Sequence, residues 1–191
     1  MKHPSIVALL ALSGVNLLGG CAPVIVGGAA TGSAVIADER TTGSFLDDES
    51  IEVKSTLAIM DDKSLQDVHI NVTSINGVVL LTGEAPTEAQ RNKILDHIRV
   101  VPRVRRTVNE IRISPATAYS SRMSDTLITT KVKSKMLGDE KLDSLRIKVI
   151  TEYGVVYLMG LAKKEEAERA AELTRQVGGV QKVVKLFEYL D

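Results

Sequence analysis

Few residues in this chain could act as a nucleophile, a base or a metal ligand. It has 191 residues, one cysteine and three histidines. Of the histidines, His3 lies in a start that reads as a leader, so only His69 and His97 remain for general acid–base work. His69 alternates with Val68, Ile70 and Val72 and is expected on the outward side of a strand, while His97 stands beside Asp96 and Arg99 on a charged helix. Both read as surface side chains. A single cysteine permits no intrachain disulfide and no multi-cysteine metal site. The acidic runs Asp47-Asp48-Glu49 and Asp61-Asp62 lack the spacing of a calcium loop and are better explained as acids favourable at helix starts. The glycines are followed by no Gly-Lys-Ser/Thr and so match no phosphate loop. With 24 basic against 24 acidic residues, no Trp, two Phe and four Tyr, the chain lacks the charge excess and stacking surfaces of a nucleic-acid protein. No catalytic residue, metal or cofactor is expected, and no nucleic-acid partner.

The cysteine has a different chemistry. Residues 1–20 begin Met1-Lys2-His3 and continue through an apolar run from Ile6 to Leu18, too short and interrupted to span a membrane. A positive start followed by such a run is a signal peptide. It ends in Leu18-Gly19-Gly20-Cys21, which resembles the bacterial lipobox. That resemblance implies cleavage before Cys21, a diacylglycerol thioether on its sulfur and usually acylation of the new amine. Ala22 follows, where an Asp typically holds enterobacterial lipoproteins at the inner membrane; its absence points to the periplasmic leaflet of the outer membrane. Residues 21–46 are small and glycine-rich and read as a tether with an r.m.s. span of roughly 25–30 Å. Its Val24-Ile25-Val26 cluster could equally rest on the lipid surface.

A second candidate lies on a helix expected at about 125–137. At 100° per residue, Ile128, Val132 and Met136 share one face and should enter a core. Met123, Leu127, Thr130 and Leu137 fall opposite, around Ser134, with Lys131 and Lys133 about 80° to either side. An apolar face bordered by lysines suits an interfacial membrane contact, with hydrocarbon entering the acyl boundary and ammonium groups meeting phosphates. The stripe could also pack on a neighbouring domain.

The elements that position these groups occur twice. Ile75-Asn76-Gly77-Val78-Val79-Leu80-Leu81-Thr82-Gly83 matches Glu152-Tyr153-Gly154-Val155-Val156-Tyr157-Leu158-Met159-Gly160 at an offset of 77, and Asp48 and Asp125 keep that offset. Val101-Pro102-Arg103-Val104 pairs with Val177-Gly178-Gly179-Val180 at an offset of 76. Matched features in one order indicate a tandem duplication of units of about 65 residues. Each unit is expected to hold a helix (about 48–60 and 125–137) and an alternating strand (Val68–Thr73 and Leu145–Val149). An Asn-Gly or Tyr-Gly turn leads to a more continuously apolar strand ending at Gly83 or Gly160. A longer helix (about 87–100 and 163–177) and a last strand (about 104–113 and 180–190) complete it. The order αββαβ gives an α+β fold: two tandem domains, each with helices on one face of a small mixed three-stranded sheet. The expected division is 1–20 signal peptide, 21–46 lipidated Cys and tether, 47–114 first domain, 115–124 linker and 125–191 second domain.

This order, with the Gly-Val-Val-x-Leu-x-Gly hairpin and the Val-x-x-Val turn into the last strand, resembles the BON domain. Lipobox, tether and two such copies together resemble dual-BON outer-membrane lipoproteins. The resemblance implies a non-catalytic protein whose second domain binds anionic phospholipid, which supports outer-membrane integrity and concentrates at division sites. The residues carried over are Met123, Leu127, Thr130, Lys131, Lys133, Ser134 and Leu137, with Cys21 as anchor. Family members can carry an aromatic at the position of Leu127. Residues 47–114 hold 9 basic and 11 acidic side chains, residues 122–191 hold 13 and 11, which favours the second copy as the lipid face. The corresponding first-copy stripe (Ser50, Val53, Leu57 and Met60, near Glu49, Glu52 and Lys54) suits a protein contact. The alternative function is therefore an envelope adaptor that binds outer-membrane assembly or peptidoglycan-remodelling proteins. Nothing in the sequence sets an oligomeric state.

Overall fold

A computed structural model describes residues 42–115 and 119–190; Cys21 and most of the expected tether lie outside them. The first copy comprises α1 (Thr42–Met60), β1 (His69–Ile75), β2 (Val78–Ala85), α2 (Glu88–Arg99) and β3 (Arg106–Ile113). The second comprises α3 (Tyr119–Leu137), β4 (Ile147–Glu152), β5 (Val155–Ala162), α4 (Lys164–Arg175) and β6 (Lys182–Tyr189). A 3₁₀ turn, Lys63–Leu65 or Ser144–Arg146, precedes the first strand of each. Both sheets are mixed, with strand orders β1-β2-β3 and β4-β5-β6; the hairpin pair is antiparallel and the second pair parallel. The α+β tandem architecture expected from the repeat is the one observed.

Three local differences have physical reasons. The first helix of each copy begins about six residues earlier than expected, taking in residues 42–46 and 119–124, expected as tether and linker. Core-facing apolar spacing gives no signal there, because Phe45, Leu46 and Met123 are exposed. The second strands do not stop at their glycines but run on to Ala85 and Ala162. Gly83 and Gly160 have φ +114 and +154, and a Cβ on either would sit 2.0 or 2.3 Å from the carbonyl oxygen of His69 or Arg146 on the neighbouring segment. Only glycine admits that approach. Leu145 and Arg146 are not strand residues: Asp143 accepts from the Leu145 amide at 3.3 Å and holds the segment in the 3₁₀ turn, which leaves Leu145 exposed.

Alternation along the strands divides the apolar residues among three cores. Val79, Leu81, Ile94 and Ile98 pack with Ile51 and Ile59 beneath the helices of the first copy. Ile128, Val132 and Met136 pack with Val156, Leu158 and Phe187 in the second. The residues between them on the strands turn the other way, and Ile75, Val78 and Leu80 meet Tyr157 and Met159 in a third cluster. The two sheets therefore lie back to back, with helices on both outer faces, a four-layer α/β/β/α arrangement. This explains why β2 and β5 read as near-continuous apolar runs: both of their faces are covered.

A polar rim closes the contact between sheets. Asn71 Nδ2 donates to Glu152 Oε2 at 3.0 Å, Lys148 Nζ to Glu52 Oε1 at 2.7 Å and Tyr157 Oη to Glu110 Oε2 at 3.1 Å. Tyr153 Oη donates to Glu84, and the Arg112 guanidinium stacks 4.2 Å above the Tyr153 ring. Asn71 and Lys148 are 77 residues apart, and each reaches the hairpin of the other copy, Lys148 also donating to the Ser74 carbonyl at 3.4 Å. The copies are thus related by an approximate two-fold, as in an isologous dimer.

Candidate lipid-facing site

Asp125 sets the position of α3. Buried on the second turn of the helix, it accepts from the backbone amides of Tyr153 and Gly154, both at 2.8 Å, and so ties the helix to the β4–β5 turn. Asp48 does the same from α1, accepting from Asn76 and Gly77 amides at 2.7 and 2.9 Å and from the Ser74 hydroxyl at 2.7 Å. Neither acid sits at a helix start, so the dipole explanation fails for Asp48. The offset of 77 between the two was the available signal. Asp62 does cap a turn: it accepts from the Ser64 amide at 3.0 Å and meets Lys93 at 2.8 Å and His97 at 2.9 Å. Hydrogen bonds from Lys93 and then His97 hold its carboxyl well below the ordinary range. His69, outward from its own core as expected, faces the other copy, beside Asn71 and Glu152.

With Ile128, Val132 and Met136 in the core, the opposite face of α3 is solvent-facing. Met123 is 60% exposed, Leu127 59% and Leu137 71%. Thr130 and Ser134 are exposed on the same face, and Lys131 and Lys133 are exposed on its two sides. Helical geometry brings all seven expected residues onto one surface, and the stripe does not pack on the first domain. One adjustment concerns Thr130: its hydroxyl donates to the Thr126 carbonyl at 2.9 Å, so it is spent on the helix backbone. Arg122 lies farther up the same helix, near Asp125 and Thr129.

Beside α3 runs a groove of about 480 Å³, walled by Leu137 and Leu145, floored by Met136, Ile147 and Val149, and with Lys133 at its rim. Leu145, 75% exposed, was missed in the sequence because the period-two pattern placed it inward. The first copy has a groove at the matching place, about 360 Å³, between α1 and β1, lined by Thr56, Ile59, Met60, Val68 and Ile70, with Gln66 and His69 also on its wall. Among the described residues there is no cluster suited to a metal ion and no helix long and apolar enough to cross a membrane.

Residues 47–115 and 124–191 each match the family model of the BON domain. The outer membrane lipoprotein DolP of Haemophilus influenzae is 35% identical, with 94% of both chains covered. A 21 kDa hemolysin of Actinobacillus pleuropneumoniae is 36% identical, covering 80% of this chain and 79% of that one. The osmotically-inducible protein Y of Escherichia coli is 28% identical over 80% of this chain and 77% of its own. DolP is an outer-membrane lipoprotein and the osmotically-inducible protein Y is envelope-associated, and BON-domain and DolP homologues are non-enzymatic families. Two matched domains and a relative aligned over nearly its whole length make this chain a member of the BON-domain family, a dual-BON outer-membrane lipoprotein of the DolP type.

Proposed function

We propose that this lipoprotein, anchored through Cys21, binds anionic phospholipid with the outer face of α3 and supports outer-membrane integrity, acting at division sites and carrying out no catalysis. The observation that carries the reading is the exposure of Met123, Leu127 and Leu137 on a helix flanked by Lys131 and Lys133. Apolar side chains enter the acyl boundary and the ammonium groups meet headgroup phosphates. Alone this is weak binding; the lipid anchor holds the domain at an effective concentration near the millimolar range, where weak binding suffices. The test is flotation of the mature chain carrying Cys21→Ser with neutral and with anionic vesicles. Co-flotation that favours anionic vesicles and falls with salt is the expected result. Equal absence from both kinds of vesicle would remove lipid recognition from the account.

A second reading, an adaptor for envelope assembly proteins, has its own support. Leu46, Val53, Leu57 and Met60 form an exposed stripe on α1. In the four-layer arrangement that stripe points away from α3, so a flat bilayer meeting one helix leaves the other free. The two readings are compatible, because they use opposite faces.

A further inference from the structure

We propose that the groove between α3 and β4 holds a single acyl chain of an anionic amphiphile, with Lys133 on its phosphate; this rests on the lipid-binding reading and extends it from a surface to a built site. The groove is about 480 Å³, within the usual range for small-molecule sites, roughly 300–1,000 Å³. Its floor of Met136, Ile147 and Val149 is apolar and suits hydrocarbon, while Thr130, Ser134 and Ser144 supply hydroxyls around it. Leu137 belongs both to the exposed stripe and to the groove wall, so the groove opens directly beside the surface that meets the membrane.

The duplication supplies an internal control. The first copy has a smaller groove at the matching place, with Ile59, Met60 and Ile70 where the second has Met136, Leu137 and Ile147. At the rim Thr56 stands in place of Lys133. Lys148 lines the second groove where Asn71 occupies the repeat position, but its ammonium is engaged by Glu52 at 2.7 Å, so its stem serves the wall. Lys133 makes no hydrogen bond or ion pair to any described residue, and its charge is available to a phosphate. The two grooves share the pairs Ile59/Met136, Met60/Leu137 and Ile70/Ile147 but differ in size and rim: the smaller first groove carries Gln66 and His69, and only the second carries a lysine with no partner among the described residues. That difference selects an acyl chain with an anionic head for the second groove.

The experiment follows methyl NMR signals of the mature chain carrying Cys21→Ser. The probes are a lysophosphatidylglycerol below its micelle concentration, a lysophosphatidylcholine of equal chain length and the glycerophosphoglycerol headgroup alone. The expected result is saturable shifts at Met136, Ile147 and Val149 with the first probe, weaker shifts with the second and none with the third. Ile59 and Ile70 in the first copy should not respond. Ser144→Trp, at the groove wall, should lower affinity for the monomeric lysolipid about tenfold or more while anionic vesicles still bind; Leu145→Glu, at an exposed position, gives a second block. Lys133→Ala should erase the preference for the anionic head. Equal shifts in both grooves, or shifts confined to Met123 and Leu127, would overturn the groove and leave the vesicle-binding stripe standing. Unchanged lysolipid binding by both blocking variants would do the same. Loss of vesicle binding by the parent chain would instead remove the broader reading.

Discussion

The two copies share a backbone and a core but differ in what their first helices show to the outside. Ile51, Ser55 and Ile59 in α1 match Ile128, Val132 and Met136 in α3, and each helix uses one buried Asp to hold its hairpin turn. On the outer surface, Glu49 and Glu52 become Thr126 and Thr129, Thr56 becomes Lys133, and Lys54 is kept as Lys131. Apolar side chains stay exposed on both. The copies thus share the residues that fold the unit and differ in those exposed on the outer face, a mixed, acid-bearing stripe on α1 against a basic one on α3. Glu52 also serves the fold: it accepts from the Ser74 amide and from Lys148, both at 2.7 Å, whereas its counterpart Thr129 donates to the Thr151 hydroxyl at 2.7 Å.

The largest effects should come from treating the copies as independent. Leu80→Ala or Met159→Ala removes buried side chains from between the sheets and should cost about 2–5 kcal/mol. Calorimetry should show one lowered transition for the whole chain, because both copies lean on that layer; two separate transitions would make them independent after all. Residues 119–191 alone would expose Tyr157 and Met159, and should self-associate in sedimentation rather than stay monomeric. Next come the hairpin clamps. Asp48→Ala and Asp125→Ala each strand two turn amides, at about 1–3 kcal/mol per unsatisfied buried group. Asp48→Ala should be the costlier in thermal melts, since it also releases the Ser74 hydroxyl.

Smaller changes test the outer faces. Leu127→Glu should weaken vesicle binding at every salt concentration by about tenfold or more, given roughly 1.5–3 kcal/mol for a fully buried leucine. Leu57→Glu, on the opposite face, should leave it unchanged; equal losses would show that the copies do not divide the work. Lys131→Ala with Lys133→Ala should remove about 1 kcal/mol each, confined to the salt-sensitive binding of anionic vesicles. The smallest effect is on pH. Burial raises the Glu152 carboxyl, with the nearby Glu84 charge adding to it and the Asn71 hydrogen bond opposing. Its folded value therefore lies above its unfolded one, so its ionisation lowers stability at neutral pH, and that loss is recovered as pH falls through the raised folded value toward the unfolded one. Glu152→Gln should flatten this part of the stability profile in melts from neutral to mildly acidic pH.

How legible the molecule was differs by level. The repeat offset, the Asn76-Gly77 turn and the 3.6-residue period of Ile128, Val132 and Met136 are local, and they led directly to two αββαβ units and to the outward stripe of α3. Leu145 was misplaced because alternation alone cannot tell a strand from a 3₁₀ turn capped by Asp143. Asp48 and Asp125 were recognisable as a repeated pair, but their partners lie 28 and 29 residues away in the chain, beyond the reach of any local rule.

By itself the sequence determined most of the residues that turn inward within each copy, Leu145 excepted, since spacing along a helix or strand assigns faces without reference to the rest of the chain. It also determined the lipobox motif, the imbalance of charge between the copies and the phase of the exposed stripe on α3. Only the tertiary structure decided that the two sheets join. Continuous apolar runs such as Val78–Leu81 and Val155–Met159 say that both faces of a strand are covered, but not by what; the second cover is the other copy, brought there by the complementary fit of two similar surfaces about an approximate two-fold. That packing in turn points the two exposed stripes in opposite directions, a relation between elements that no spacing within either copy contains.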